Sequence, residues 1–185
     1  MSRSRALLLP ALAAVAAALP AAGAPAAAVA SPCGNAALKP TSANLPAVRH
    51  ATLCLLNRER RSRGLRGLKQ HRALERAASR YARAMVRHGF FDHVSPGGST
   101  MVGRVRDTSY LSGAGSWSLG ENLAWGSGSR ATPSQTVDAW MHSPGHRRNI
   151  LDGRFREIGI GVATGAPVRV GGDAATYATD FGFRS

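Results

Sequence analysis

The clearest periodicity in the chain runs from about Ala73 to His88. Leu74, Ala77, Ala78, Tyr81 and Met85 recur at helical spacing on one face, and Arg76, Arg80, Arg83 and Arg87 recur on the opposite face. Gly89 follows at the C-terminal stop, so an amphipathic helix is predicted there. A second helical pattern starts at Ala51 and passes through Leu53, Cys54, Leu55 and Leu56 into the basic run Arg58-Glu59-Arg60-Arg61, where Gly64 and Gly67 end it. A short helix is predicted near Thr100 to Arg106. Thr132-Pro133-Ser134-Gln135 is a capping box with proline at the first helical position, opening a helix that carries Val137, Trp140 and Met141. Ser143-Pro144 restarts the chain as a second cap, with Ile150 and Leu151 as its apolar contact.

The period then changes from 3.6 to 2. Ile158, Ile160 and Val162 alternate with Gly159 and Gly161, and Tyr177, Thr179, Phe181 and Phe183 alternate likewise. These predict two antiparallel strands joined through Gly171-Gly172-Asp173. Residues 31–48, with Pro32, Pro40 and Pro46, read as an extended arm, and residues 108–118 as a long surface loop. Trp125 and Trp140 are expected in the core and Trp117 at the surface. Helices first and strands last imply an α+β domain in which helices cover a small sheet.

The first thirty residues do not belong to that domain. Arg3 and Arg5 precede an Ala/Leu stretch from Leu7 to Leu19, and Ala28-Val29-Ala30 fits a cleavage site. This is the pattern of a secretory signal peptide. The expected organisation is a signal peptide at 1–30, the arm at 31–48 and a globular domain at 49–185, with no transmembrane helix in the mature chain and a location outside the cell or in its envelope. Cys33 and Cys54 are the two cysteines of 185 residues, and in an oxidising compartment such a pair is expected to form a disulfide. The net charge is +14, from 24 basic and 10 acidic residues, with Lys39 and Lys69 the only lysines. Such a field favours anionic partners without naming one.

Three segments carry candidate chemistry. They are Phe91-Asp92-His93-Val94-Ser95-Pro96, Gly120-Glu121-Asn122-Leu123-Ala124-Trp125-Gly126, and Trp140 through Leu151, the last followed by Ile158-Gly159-Ile160-Gly161. In this order and spacing, from about Ala51 to Phe183, the chain resembles the CAP family (cysteine-rich secretory protein, antigen 5, PR-1) in its small bacterial branch. The resemblance implies a three-layer α-β-α sandwich with a small antiparallel sheet, and a cleft lined by two His and two Glu that can hold a divalent cation. His93, Glu121 and His146 match three of those four positions. The second Glu falls at Ser143, so the set is incomplete; His142 and Glu157 lie nearby in sequence without a matching role.

Two imidazoles and a carboxylate suit zinc or a similar divalent cation, with water completing the shell. His93, Glu121 and His146 are therefore the expected metal ligands and also the candidate catalytic residues. No Gly-x-Ser-x-Gly elbow, His-Glu-x-x-His helix or phosphate-binding loop is present. Three functions follow: a secreted module binding lipid, glycan or protein at the His/Glu cleft, a metal-assisted hydrolase of peptides or cell-wall material, or a cationic protein whose Arg-rich face binds an anionic envelope polymer. Nucleic acid is not the expected partner. The incomplete ligand set favours the first, as a binding module rather than an enzyme.

Overall fold

The computed structural model describes residues 33–170 and 173–185. The expected signal peptide therefore lies outside the described residues, as do Gly171 and Gly172 of the expected strand connection. Five α-helices and four strands are present among the described residues: α1 Leu45–Arg61, β1 Lys69–Gln70, α2 Arg72–His88, α3 Met101–Arg106, β2 Trp117–Ser127, α4 Pro133–His142, α5 Pro144–Leu151, β3 Glu157–Thr164 and β4 Ala174–Arg184. A 3₁₀ turn at Gly128–Ala131 leads into α4. None of the described helices is long and apolar enough to cross a membrane.

The sheet has the order β1-β3-β4-β2. β3 and β4 pair antiparallel, as their alternation predicts, and β2 pairs antiparallel with β4 along its whole length. The two residues of β1 add a parallel pair at Lys69↔Glu157 and Gln70↔Ile158, so the sheet is mixed. The two faces of β3 are built differently. Ile158, Ile160 and Val162 join Tyr177 and Phe181 in the larger core, against Leu55 and Leu56 of α1, Trp140 of α4 and Ile150 of α5. Gly159 and Gly161 face α2: a Cβ at either would fall on the helix backbone, at Leu74 for the first and Ala78 for the second. The Gly-x-Gly alternation thus lets a helix lie directly on the sheet. With α3 and Tyr110 packed beside α2, the result is the three-layer arrangement.

Local signals explain most element ends. Thr132 accepts a hydrogen bond from the Gln135 backbone N–H, closing the capping box of α4. His71 caps α2 by accepting from Ala73 N at 3.2 Å, and Gly89 closes it at φ 65°. Cys33 and Cys54 form the disulfide, with Cα atoms 5.7 Å apart.

Three local expectations need correction. The helix expected from Ala51 begins at Leu45, because Pro46 sits in its first turn, where proline lacks no bond a helix needs. The extended arm therefore ends at residue 44 rather than 48. The Gly120–Gly126 motif is the middle of strand β2. Within the loop expected at 108–118, Tyr110 is wholly buried, anchored by its hydroxyl on Glu157 at 2.8 Å. Trp140 is core and donates to the Leu123 carbonyl, but Trp125 is 38% exposed, near the end of an edge strand where neighbours are few.

Candidate functional site

Glu121 sits in the middle of β2 on the α2 side of the sheet, with its side chain nearly buried. Both carboxylate oxygens are engaged. His93 Nδ1 lies 2.7 Å from Oε1, and the Arg104 guanidinium donates to Oε2 at 2.5 Å. Arg104 comes from α3, where Thr100 caps the helix on Gly103 N. Its guanidinium also donates to the His93 and Ser99 carbonyls and lies 3.2 Å above the Tyr81 ring. Tyr81 in turn donates its hydroxyl to the Asp92 carbonyl. The loop after α2 is thereby held at both ends of the His93 peptide, and the imidazole is presented to solvent, with its side chain 56% exposed.

A second acid stands behind the first. Asp180 of β4 is the residue paired with Glu121 in the strand register, so the two side chains project to the same face. Asp180 is fully buried, and no N–H or O–H group reaches either of its oxygens. Burial, and then the negative charge of Glu121, hold its carboxyl well above the usual carboxylate range. The partner open to it is the Glu121 carboxylate, to which Asp180 can hydrogen-bond only as the proton donor. Arg104 Nε is likewise buried without a partner.

His146 reaches the same region from the first turn of α5, after the Ser143 junction with α4. Two asparagines attach that turn to β2. Asn122 donates to the His146 carbonyl at 3.0 Å, and Asn149 donates to the Glu121 carbonyl at 3.0 Å and to Asn122 Oδ1 at 2.9 Å. The two imidazoles sit in opposite electrostatic settings. The hydrogen bond to Glu121 raises the His93 pKa against the effect of burial, whereas burial, then the charge of His93, lowers that of His146. The two rings are thus pushed apart, His93 toward the charged form and His146 toward the neutral one.

His93 and Glu121 are therefore in direct contact, with His146 adjacent. The other residues considered lie elsewhere. His142 is exposed beside Asp138 of its own helix, Glu157 binds Tyr110 at the start of β3, and Ser143 makes no side-chain cap. Among the described residues, no three His, Cys, Asp or Glu side chains are arranged to hold a metal ion. Glu121, the carboxylate expected as third ligand, is instead held between His93 and Arg104. As arranged, these side chains do not fit a three-ligand centre.

Arg104 and Asp180 were not legible as site residues. Arg104 is one of many arginines, and Asp180 faces Glu121 only through the pairing of β2 with β4.

Comparison with known proteins agrees with this architecture. Residues 53–179 match the profile of the cysteine-rich secretory protein family, CAP. The uncharacterized protein YkwD of Bacillus subtilis (strain 168) is 37% identical over 107 residues, covering 58% of this chain and 39% of YkwD. The chain thus spans about two fifths of that relative. An extracellular protein containing an SCP domain from Bacillus anthracis superposes with a TM-score of 0.58 at 22% identity, over 77% of this chain and 44% of that one. An outer surface protein from Borrelia burgdorferi gives 0.57 at 21% identity, over 72% and 90%. At these identities the two structures show a shared fold. With more than half of its length matched by the profile, the chain belongs to the cysteine-rich secretory protein (CAP) family.

Proposed function

We propose that this chain is an exported binding module without hydrolytic turnover, and that its ligand is a lipid, glycan or protein met at the loop around His93. The observation that carries this reading is the double engagement of Glu121. A general base must be free to turn toward the substrate proton it accepts. Here one oxygen is ion-paired with a guanidinium and the other holds an imidazole. The nearest candidate nucleophiles are not oriented either: Ser95 Oγ accepts from Ser99 N, and Ser143 has no side-chain cap bond. The same contacts suit recognition. Phe91 and Val94, 44% and 45% exposed, flank His93 on a loop braced by Arg104 and Tyr81. Exposed apolar groups beside a fixed polar one are common in binding surfaces.

Pull-down of the purified chain on peptidoglycan and on lipid vesicles, together with peptide and cell-wall hydrolysis assays with and without zinc, tests the proposal. Phe91→Ser with Val94→Ser is expected to weaken retention about tenfold, equivalent to roughly 1.4 kcal/mol, with no turnover in any sample. Zinc-dependent turnover that disappears in both Glu121→Gln and His146→Ala, each still folded, would overturn it in favour of a metal-assisted hydrolase.

A further inference from the structure

We infer that the solvent face of α2 is a docking track for a linear, base-free phosphodiester polymer of the poly(glycerol phosphate) kind. Arg72, Arg76, Arg80, Arg83 and Arg87 all project from this helix and all are exposed. Arg76, Arg80, Arg83 and Arg87 follow one another at rises of about 4.5–6 Å and span about 16 Å of helix. None of the five forms an ion pair among the described residues. The single acid of the helix, Glu75, is taken by Arg49 at 3.1 Å and by the Gln70 amide. The face therefore carries uncompensated charge of one sign, and like charges four residues apart oppose the helix that bears them. A bound polyanion relieves that repulsion.

The shape of the surface agrees. Two open grooves run along the helix, of about 500 and about 560 Å³, and both are lined by Arg80 and Arg83. The first continues to Arg72 and Arg76, and the second to Arg87 and to Val162 and Thr164 of β3. The two share Arg80 and Arg83, and the arginines from Arg76 to Arg87 that line them span about 16 Å, room for several consecutive phosphates. Neither groove is lined by an aromatic side chain, so nothing there offers a stacking platform for bases. A concave path of cations also fits a thread better than a flat bilayer.

The experiment is titration of the purified chain with poly(glycerol phosphate), against single-stranded DNA and phosphatidylglycerol vesicles, in rising salt. With roughly four phosphates engaged, affinity should fall about 50-fold between 50 and 200 mM salt. Arg80→Glu with Arg83→Glu should weaken binding tenfold or more. Arg147→Glu with Arg148→Glu makes the same change in net charge at exposed positions of α5 and should change it less than twofold. Circular dichroism checks that both variants stay folded. No binding at 50 mM salt, equal loss in the two double variants, or tighter binding of DNA or vesicles than of the polymer would each overturn the assignment. Because the track does not include His93, Glu121 or His146, its failure leaves the proposed binding module untouched.

Discussion

Glu121 and Asp180 face each other across β2 and β4 with unequal surroundings: the first is ion-paired with Arg104, and the second is buried with no donor at either oxygen. An acid whose folded pKa is raised contributes its stability in full below its unfolded value and loses it as pH climbs toward the folded one. For Asp180 the loss begins near pH 4, the ordinary carboxyl value, at about 1.4 kcal/mol per pH unit. Asp180→Asn supplies a permanent N–H donor to Glu121 and removes that loss. The melting temperature of the variant relative to wild type should rise as pH climbs above 4; a constant difference would show that Asp180 ionises normally.

The two site histidines should separate in a proton NMR titration. His93 is expected to titrate above the ordinary imidazole value, because Glu121 accepts from its Nδ1, and His146 below it, because it is buried beside that cation. Glu121→Gln should bring the His93 midpoint down and, by weakening its charge at neutral pH, move the His146 midpoint up. Coincident midpoints in wild type would mean the two rings do not share a site.

Arg60 is a buried cation stitched to carbonyls alone. Its guanidinium donates to Arg66, Ile150, Asp152 and Phe155, tying α1 to the end of α5 and to the turn into β3. Arg60→Met leaves those carbonyls without a donor and should cost about 3 kcal/mol. Thermal denaturation should register this as a drop of roughly 10 °C.

Gly161 and Gly145 make a matched pair of alanine substitutions. A Cβ at Gly161 falls on the α2 backbone at Ala78, whereas one at Gly145 meets nothing within 4 Å. Gly161→Ala should destabilise by about 3 kcal/mol, the upper range for overpacking. Gly145→Ala, inside α5, should be neutral or gain up to about 1 kcal/mol. Equal melting temperatures would mean that α2 does not rest on β3.

Much of this architecture can be read from local pattern. α2 shows in its 3.6-residue period, α4 in the Thr132–Gln135 box, β3 and β4 in their alternation, and the staple in the isolated cysteine pair. What escapes is non-local. Strand β2 does not alternate, because its middle is buried on both faces between α2 and α5 and carries Glu121 and Asn122 as structural polar groups. Pro46 looks like a breaker yet fits a first turn. Arg60, in a run of basic residues, gives no sign that it alone turns inward to distant carbonyls. Arg104 and Asp180 become partners of Glu121 only once α3 has docked and β4 has paired. The motifs therefore disclose where the site is, but not that its carboxylate is already spoken for.

The Cys33–Cys54 staple also bears on how the domain is completed. Beyond the bridge, the arm lays Ala36 and Leu38 on the main core, and its Ala36 carbonyl accepts from Ser134 N at the start of α4. A thiol reductant would therefore unfasten a lid of the core together with a helix-end contact, and an unoxidised chain remains an unfinished one.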